Sequence, residues 1–180
     1  MKRNSLYLLL LSVLLTVVGG SWFQNTIPVT NVDFVSAVFS SSTTAVMVGY
    51  NDDSGAIIKT TNSGFTWTTV STSVAQTTDV ATINIGGVTY FLAVSIAGTI
   101  YLSTAGGTFN AVRTLPATLY GVAIGSNNKA YACGVTAFPP LSKIYASSFS
   151  TFNTSYGYGT WDDVTPPGGS QVLSADSFIK

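Results

Sequence analysis

Beyond an apolar N-terminal segment, strand-like runs of five to eight residues rich in Val, Ile, Thr, Tyr and Phe are separated by polar turns. Val32–Phe39 predicts a first strand whose imperfect alternation covers both faces in part. Ser40–Thr43 is a polar turn, and Thr44–Tyr50 a second strand. Asn51-Asp52-Asp53-Ser54-Gly55 is a strong turn signal before a third strand, Ala56–Thr60. Thr61–Phe65 turns the chain into a short fourth strand, Thr66–Val70. Four strands joined by short turns predict one antiparallel meander.

The pattern then restarts. Asp79–Ile85, Val88–Val94, Thr99–Ser103 and Thr108–Val112 predict a second meander. Leu119–Gly125, Lys129–Gly134 and Lys143–Ser147 open a third, with a longer loop at Thr136–Leu141 that carries Pro139-Pro140. Its fourth strand is either Phe152–Thr154 or Trp161–Val164. Ile57, Ile100 and Ile144 recur at spacings of 43 and 44, and Trp67, Phe109 and Phe152 at 42 and 43. A period of 40–45 residues with four short strands per unit is the signature of a propeller blade. A two-faced meander needs a neighbour on each face, and the next blade supplies it. Repeats are expected at 32–76, 77–117 and 118–167, with Gln171–Asp176 opening a partial repeat over 171–180. The fold class expected is therefore all-β: an incomplete β-propeller of about three four-stranded antiparallel blades plus one extra strand.

Composition agrees with sheet. The chain of 180 residues is 46% hydrophobic and only 8% charged, without His, which argues against disorder. Lys2 and Arg3, the mainly apolar Leu6–Val18 and the small Gly19-Gly20-Ser21 form a secretory signal pattern over residues 1–20. An uncleaved anchor over residues 6–23 is the alternative, since that run is close to the lower spanning length. The expected location is secreted, periplasmic or lumenal, with membrane proximity supplied by the N-terminal segment. Without residues 1–20 the chain keeps five basic and seven acidic side chains, a formal charge of −2. It has no basic patch for a nucleic acid. Cys133 is the sole cysteine, so no disulfide forms within the chain, and its apolar surroundings predict a buried, inert thiol.

Thr60-Thr61-Asn62-Ser63-Gly64-Phe65-Thr66-Trp67 resembles the Asp-box, or BNR repeat, of pattern Ser/Thr-x-Asp-x-Gly-x-Thr-Trp. Thr60, Gly64, Thr66 and Trp67 match, and Asn62 stands in place of Asp. The wider stretch Val32–Val70 looks like a blade of the photosystem II assembly-factor (Ycf48-like) family. Ser103–Phe109 is a shortened second copy, and Ser147–Phe152 a third that has lost its glycine. The resemblance implies a structural turn motif, Thr60, Asn62, Gly64, Thr66 and Trp67, on a propeller that binds a protein partner. That family's partner surface is rich in arginine, which this chain lacks.

Asp-box propellers include sialidases, which need several arginines, a tyrosine with an acidic partner, and an aspartate acid. Arg113 is the only arginine beyond the N-terminal segment, and Glu is absent. Asp52-Asp53 and Asp162-Asp163 are the remaining carboxylate pairs, and both sit in polar turn-like stretches. With no His and one Cys, the chain cannot build a Ser-His-Asp or Cys-His centre. No enzyme activity, cofactor or strong metal site is expected. Asn51, Asp52 and Asp53 offer oxygens for at most a weak calcium site. Asn153-Thr154-Ser155 is a glycosylation sequon. Tyr156, Tyr158 and Trp161, spaced by glycines, form a candidate aromatic platform for a partner. The function expected is a non-catalytic scaffold that binds a protein or self-associates to cover its open edges. A carbohydrate- or surface-binding module and a fragment of a larger Asp-box propeller are the alternatives.

Overall fold

The computed structural model describes residues 26–148 and 160–166. They form twelve strands and no helix: β1 (Asp33–Phe39), β2 (Ala45–Tyr50), β3 (Gly55–Thr60), β4 (Thr68–Val74), β5 (Thr77–Ile85), β6 (Val88–Ser95), β7 (Thr99–Thr104), β8 (Asn110–Thr114), β9 (Thr118–Ile124), β10 (Lys129–Val135), β11 (Ser142–Ser148) and β12 (Asp162–Asp163). No helix among them is long and apolar enough to cross a membrane. The strands pair in chain order into three four-stranded antiparallel sheets. The first strands β1, β5 and β9 lie side by side, with β5 between the other two. This is an all-β, propeller-type arc of three blades. The extra strand expected at Gln171–Asp176 lies outside the described residues.

Two apolar layers hold the arc together. Val46, Val48 and Ile57 of blade 1 pack with Phe91, Ala93, Tyr101 and Phe109 of blade 2. Leu92, Val94, Ile100 and Val112, from the other face of blade 2, pack with Val122, Ala130, Ala132, Tyr145 and Trp161 of blade 3. The period-2 alternation of strands explains the split, because Phe91 and Leu92 are neighbours in sequence and serve opposite layers. A meander that is apolar on both faces can bury both only by stacking.

The same irregularity recurs in each blade. The first strand skips one residue against the second at Val35 in β1, Thr78 in β5 and Tyr120 in β9. Such bulges bend and twist the strand. Two of the facing residues are glycines in close approach: a Cβ on Gly49 would run into the Asp33 carbonyl, and one on Gly134 into the Thr118 carbonyl.

Strand β4 begins two residues later than the sequence predicts and runs on to Val74. The Thr66 amide is already spent on the Asn62 side chain, so pairing with β3 starts after Trp67. In the third blade the outer strand is Asp162–Asp163, the second of the two sequence alternatives. Phe152–Thr154 lies outside the described residues.

Candidate functional site

The turn between β3 and β4 is built from side-chain hydrogen bonds. The Thr60 hydroxyl, buried at the end of β3, donates to Asn62 Oδ1 at 3.0 Å and accepts the Gly64 amide at 2.9 Å. Asn62 Oδ1 also accepts the Thr66 amide at 2.9 Å, while its Nδ2 donates to Thr66 Oγ1 at 2.9 Å. Asn62 thus uses both ends of its amide inside the turn. Ser63 and Gly64 both have positive φ, and glycine takes that conformation without a Cβ clash. The Ser63 amide donates to the Thr43 carbonyl and its hydroxyl to the Ser42 carbonyl, which ties the turn to the β1–β2 connection. Thr60, Asn62, Gly64 and Thr66 therefore form one closed polar turn beside Trp67, whose ring lies next to Gly64.

Blade 2 keeps part of this. Ala105 has the positive φ of Ser63, and its amide donates to the Thr89 carbonyl as Ser63 does to Thr43. The buried Ser103 hydroxyl donates to the Gly107 carbonyl at 2.9 Å. Thr60, Ser103 and Ser147 are buried hydroxyls at the last or last-but-one position of the third strands of the three blades. In blades 1 and 2 the shared turn element is this hydroxyl rather than an Asn or Asp.

The aromatic residue just before the fourth strand is Trp67 in blade 1, Phe109 in blade 2 and Trp161 in blade 3. Trp161, not Phe152, completes the series. It is 6% exposed, and Phe109 is 5% exposed. Each lies in the layer shared with the preceding blade. This corrects the expectation that Trp161 belongs to a surface platform: nearly all of its ring is used by the core. Tyr156, Tyr158 and the sequon at Asn153 lie outside the described residues. Trp67 is only half-buried. It precedes Thr68, which pairs with Lys59, and Lys59 reaches blade 2 through a 2.6 Å bond from its Nζ to the Ala105 carbonyl. Strand alternation therefore puts Trp67 on the opposite face of blade 1, where no described residue forms a preceding blade.

The other end of the arc mirrors this. Ile57 and Ile100 are fully buried against the following blade, whereas Ile144, at the matching place in blade 3, is half-buried. Cys133 pairs with Ile144 and is also half-buried. Burial, and the Asp79 carboxylate beyond it, push its thiol pKa up, so little thiolate forms.

In the Asn51–Ser54 turn the Asn51 side chain and two backbone carbonyls are engaged. Asn51 Oδ1 accepts the Asp53 and Ser54 amides at 2.9 and 2.8 Å, and Gln76 Nε2 donates to the carbonyls of Asn51 and Asp52. No group of three His, Cys, Asp or Glu side chains suited to a metal occurs among the described residues. Asp163 is occupied too. It accepts Lys143 Nζ at 2.6 Å and both the amide and the hydroxyl of Thr165, and these donors lower its pKa to about 2.

Sequence reasoning missed Asp79. Its Oδ1 accepts Ser36 Oγ at 2.6 Å and the Val80 amide at 2.8 Å, and its Oδ2 accepts the Val122 amide at 2.8 Å. One carboxylate thereby joins the first strands of all three blades. The signal was present in the chain, since Ser36 and Val122 each lie 43 residues from Asp79.

Topology and packing define the class as a propeller-type β-repeat protein. No family model matches the chain, and no curated protein matches it. Among solved structures it is similar to "YCF48 bound to D1 peptide", at 17% identity and a TM-score of 0.48 over 81% of this chain and 44% of that one. This chain spans less than half the length of that one.

Proposed function

We propose that this protein is a non-catalytic, exported scaffold that binds a protein partner through the two open faces of its arc. The observation that carries this reading is the contrast between equivalent positions. Phe109 and Trp161 are closed over by the blade before them, whereas Trp67 is half-buried and has no such blade among the described residues. Ile57 and Ile100 are closed over by the blade after them, whereas Ile144 is half-buried and has none among the described residues. Half-exposed positions whose counterparts are core mark surfaces suited to a partner. The 60–67 turn, read as an Asp-box with Asn in place of Asp, is part of the scaffold and not a ligand site. One arginine beyond residue 3, with no Glu and no His, leaves little material for catalysis. The Lys2–Ser21 pattern is the basis for export.

The test is the mass of the chain in solution, combined with photo-crosslinking from positions 67 and 144 in the native extract. A defined oligomer, or one reproducible cross-linked protein, is expected. A stable monomer with no cross-linked product from either position would defeat the reading.

A further inference from the structure

The two ends of the blades differ in chemistry. The β2–β3, β6–β7 and β10–β11 turns share one end with the starts of β1, β5 and β9. The bonds there show it: Gln76 donates to Asn51 and Asp52, the Leu115 amide to the Gly98 carbonyl, and the Thr78 hydroxyl to the Leu119 carbonyl. At this end blade 3 projects the loop between Val135 and Ser142. Phe138 at its tip is 93% exposed, and Leu141, Ile96 and Val164 beside this end are exposed too.

The loop is suited to an apolar medium in its backbone as well as its side chains. From Thr136 to Ser142 it carries no charge. Pro139 and Pro140 have no N–H to desolvate. The Thr136 amide donates to the Leu141 carbonyl, the Leu141 amide to Thr136 Oγ1, and the Thr136 hydroxyl to the Pro139 carbonyl. Unpaired amides are what usually keep a loop out of lipid, and this one has satisfied or removed most of them.

The chain also enters the fold at this end. Asp33, the first residue of β1, pairs with Tyr50 next to the β2–β3 turn, and the apolar run Leu6–Val18 lies a short distance upstream. From these observations we propose that the chain-entry end of the blades rests on a lipid bilayer, with Phe138 and Leu141 inserted into its interface. On the uncleaved-anchor reading of residues 6–23, the N-terminal run provides one membrane attachment and the loop a second. Two weak attachments hold where one does not. Asp33, Asp52 and Asp53, exposed carboxylates at the same end of blade 1, stay in water, which favours a zwitterionic surface over an anionic one.

The experiment uses the full chain, residues 1–180, reconstituted in phosphatidylcholine vesicles. A polarity-sensitive dye is attached to a single thiol introduced by Phe138→Cys or, at the opposite end of the blades, by Phe65→Cys. Cys133→Ser is the background, and circular dichroism verifies that each variant retains its sheet. In the Phe138 variant we expect a blue-shifted emission that is quenched by a bilayer-embedded nitroxide. In the Phe65 variant we expect an aqueous spectrum. If the background does not fold, the same labels are placed on the native chain, where the half-buried Cys133 reacts slowly. An aqueous spectrum at 138, which would leave the loop to a protein groove, overturns the proposal, and so does equal quenching at both positions. Neither result bears on whether the open blade faces bind a protein.

Discussion

Asp79 Oδ2 accepts the backbone amide of Val122 at 2.8 Å, across the boundary between the second and third blades. Its other oxygen accepts Ser36 Oγ at 2.6 Å, across the boundary between the first and second. A half-buried carboxylate with three donors is costly to remove, because each donor loses its acceptor in a place that water reaches poorly. Asp79→Ala is expected to destabilise the protein by about 1–3 kcal/mol. Ser36→Ala removes one donor and leaves the Val122 bond, so it costs less. Urea denaturation of both variants provides the comparison. Equal costs would show that the Val122 bond contributes nothing.

Thr60 and Asn62 divide the work of the β3–β4 turn unequally. Thr60→Val keeps the shape and removes the acceptor of the Gly64 amide, which predicts a loss of about 1–2 kcal/mol. Asn62→Asp retains an acceptor for the Thr66 amide, and the Thr66 hydroxyl can rotate to donate to the second carboxylate oxygen. That variant is expected to stay within about 0.5 kcal/mol of the parent. Thermal melts at neutral pH would separate the two. A large loss from Asn62→Asp would mean that the Nδ2 bond to Thr66 governs the turn.

The three aromatics before the fourth strands predict a graded series. Trp161→Ala opens a cavity between blades 2 and 3 and is expected to cost about 3–5 kcal/mol. Trp67→Ala removes a half-buried ring and is expected to cost about 1–2 kcal/mol. On the proposed function, Trp67→Ala also weakens partner capture. Chemical denaturation measures the first pair of values and cross-linking yield the last. A Trp161 variant of parental stability would contradict the burial of that ring.

The Asp163 carboxyl is held near a pKa of about 2, against an ordinary 3.8, by Lys143 and Thr165. The Lys143 ammonium pKa is raised in return, chiefly by the hydrogen bond to Asp163. A lowered acid pKa means the folded state favours the ionised form. The resulting stability is present above pH 3.8 and is lost as pH falls towards 2. A raised amine pKa gives stability that is complete below 10.5 and lost as pH rises through the folded value. Both groups reach solvent, so the contribution to folding is small. Carbon-detected NMR titration should place Asp163 near 2, and Lys143→Met should move it towards 3.8. Because the Thr165 donors remain, it should stop short of that value.

Ile57, Ile100 and Ile144 mark the third strands from sequence alone, because period-2 alternation and a repeat near 43 residues are local properties of the chain. Thr60, Asn62, Gly64 and Thr66 were legible for the same reason: the turn closes on itself within seven residues. The third copy was misread where the residues between β11 and β12 break the period. That moved the wedge from Phe152 to Trp161 and turned an expected surface ring into core.

Alternation, turn chemistry and repetition were enough for the first eleven strands, their order and the three-blade count, and they left the outer strand of the third blade between two alternatives. The tertiary structure decided three further matters. Asp79 joins the three first strands through groups 43 residues away on either side. Phe109 and Trp161 are closed over while Trp67 is half-buried. Phe138 stands at the end where the chain enters. Each depends on which surfaces meet when the blades stack, and stacking is a relation between distant segments that no local pattern contains.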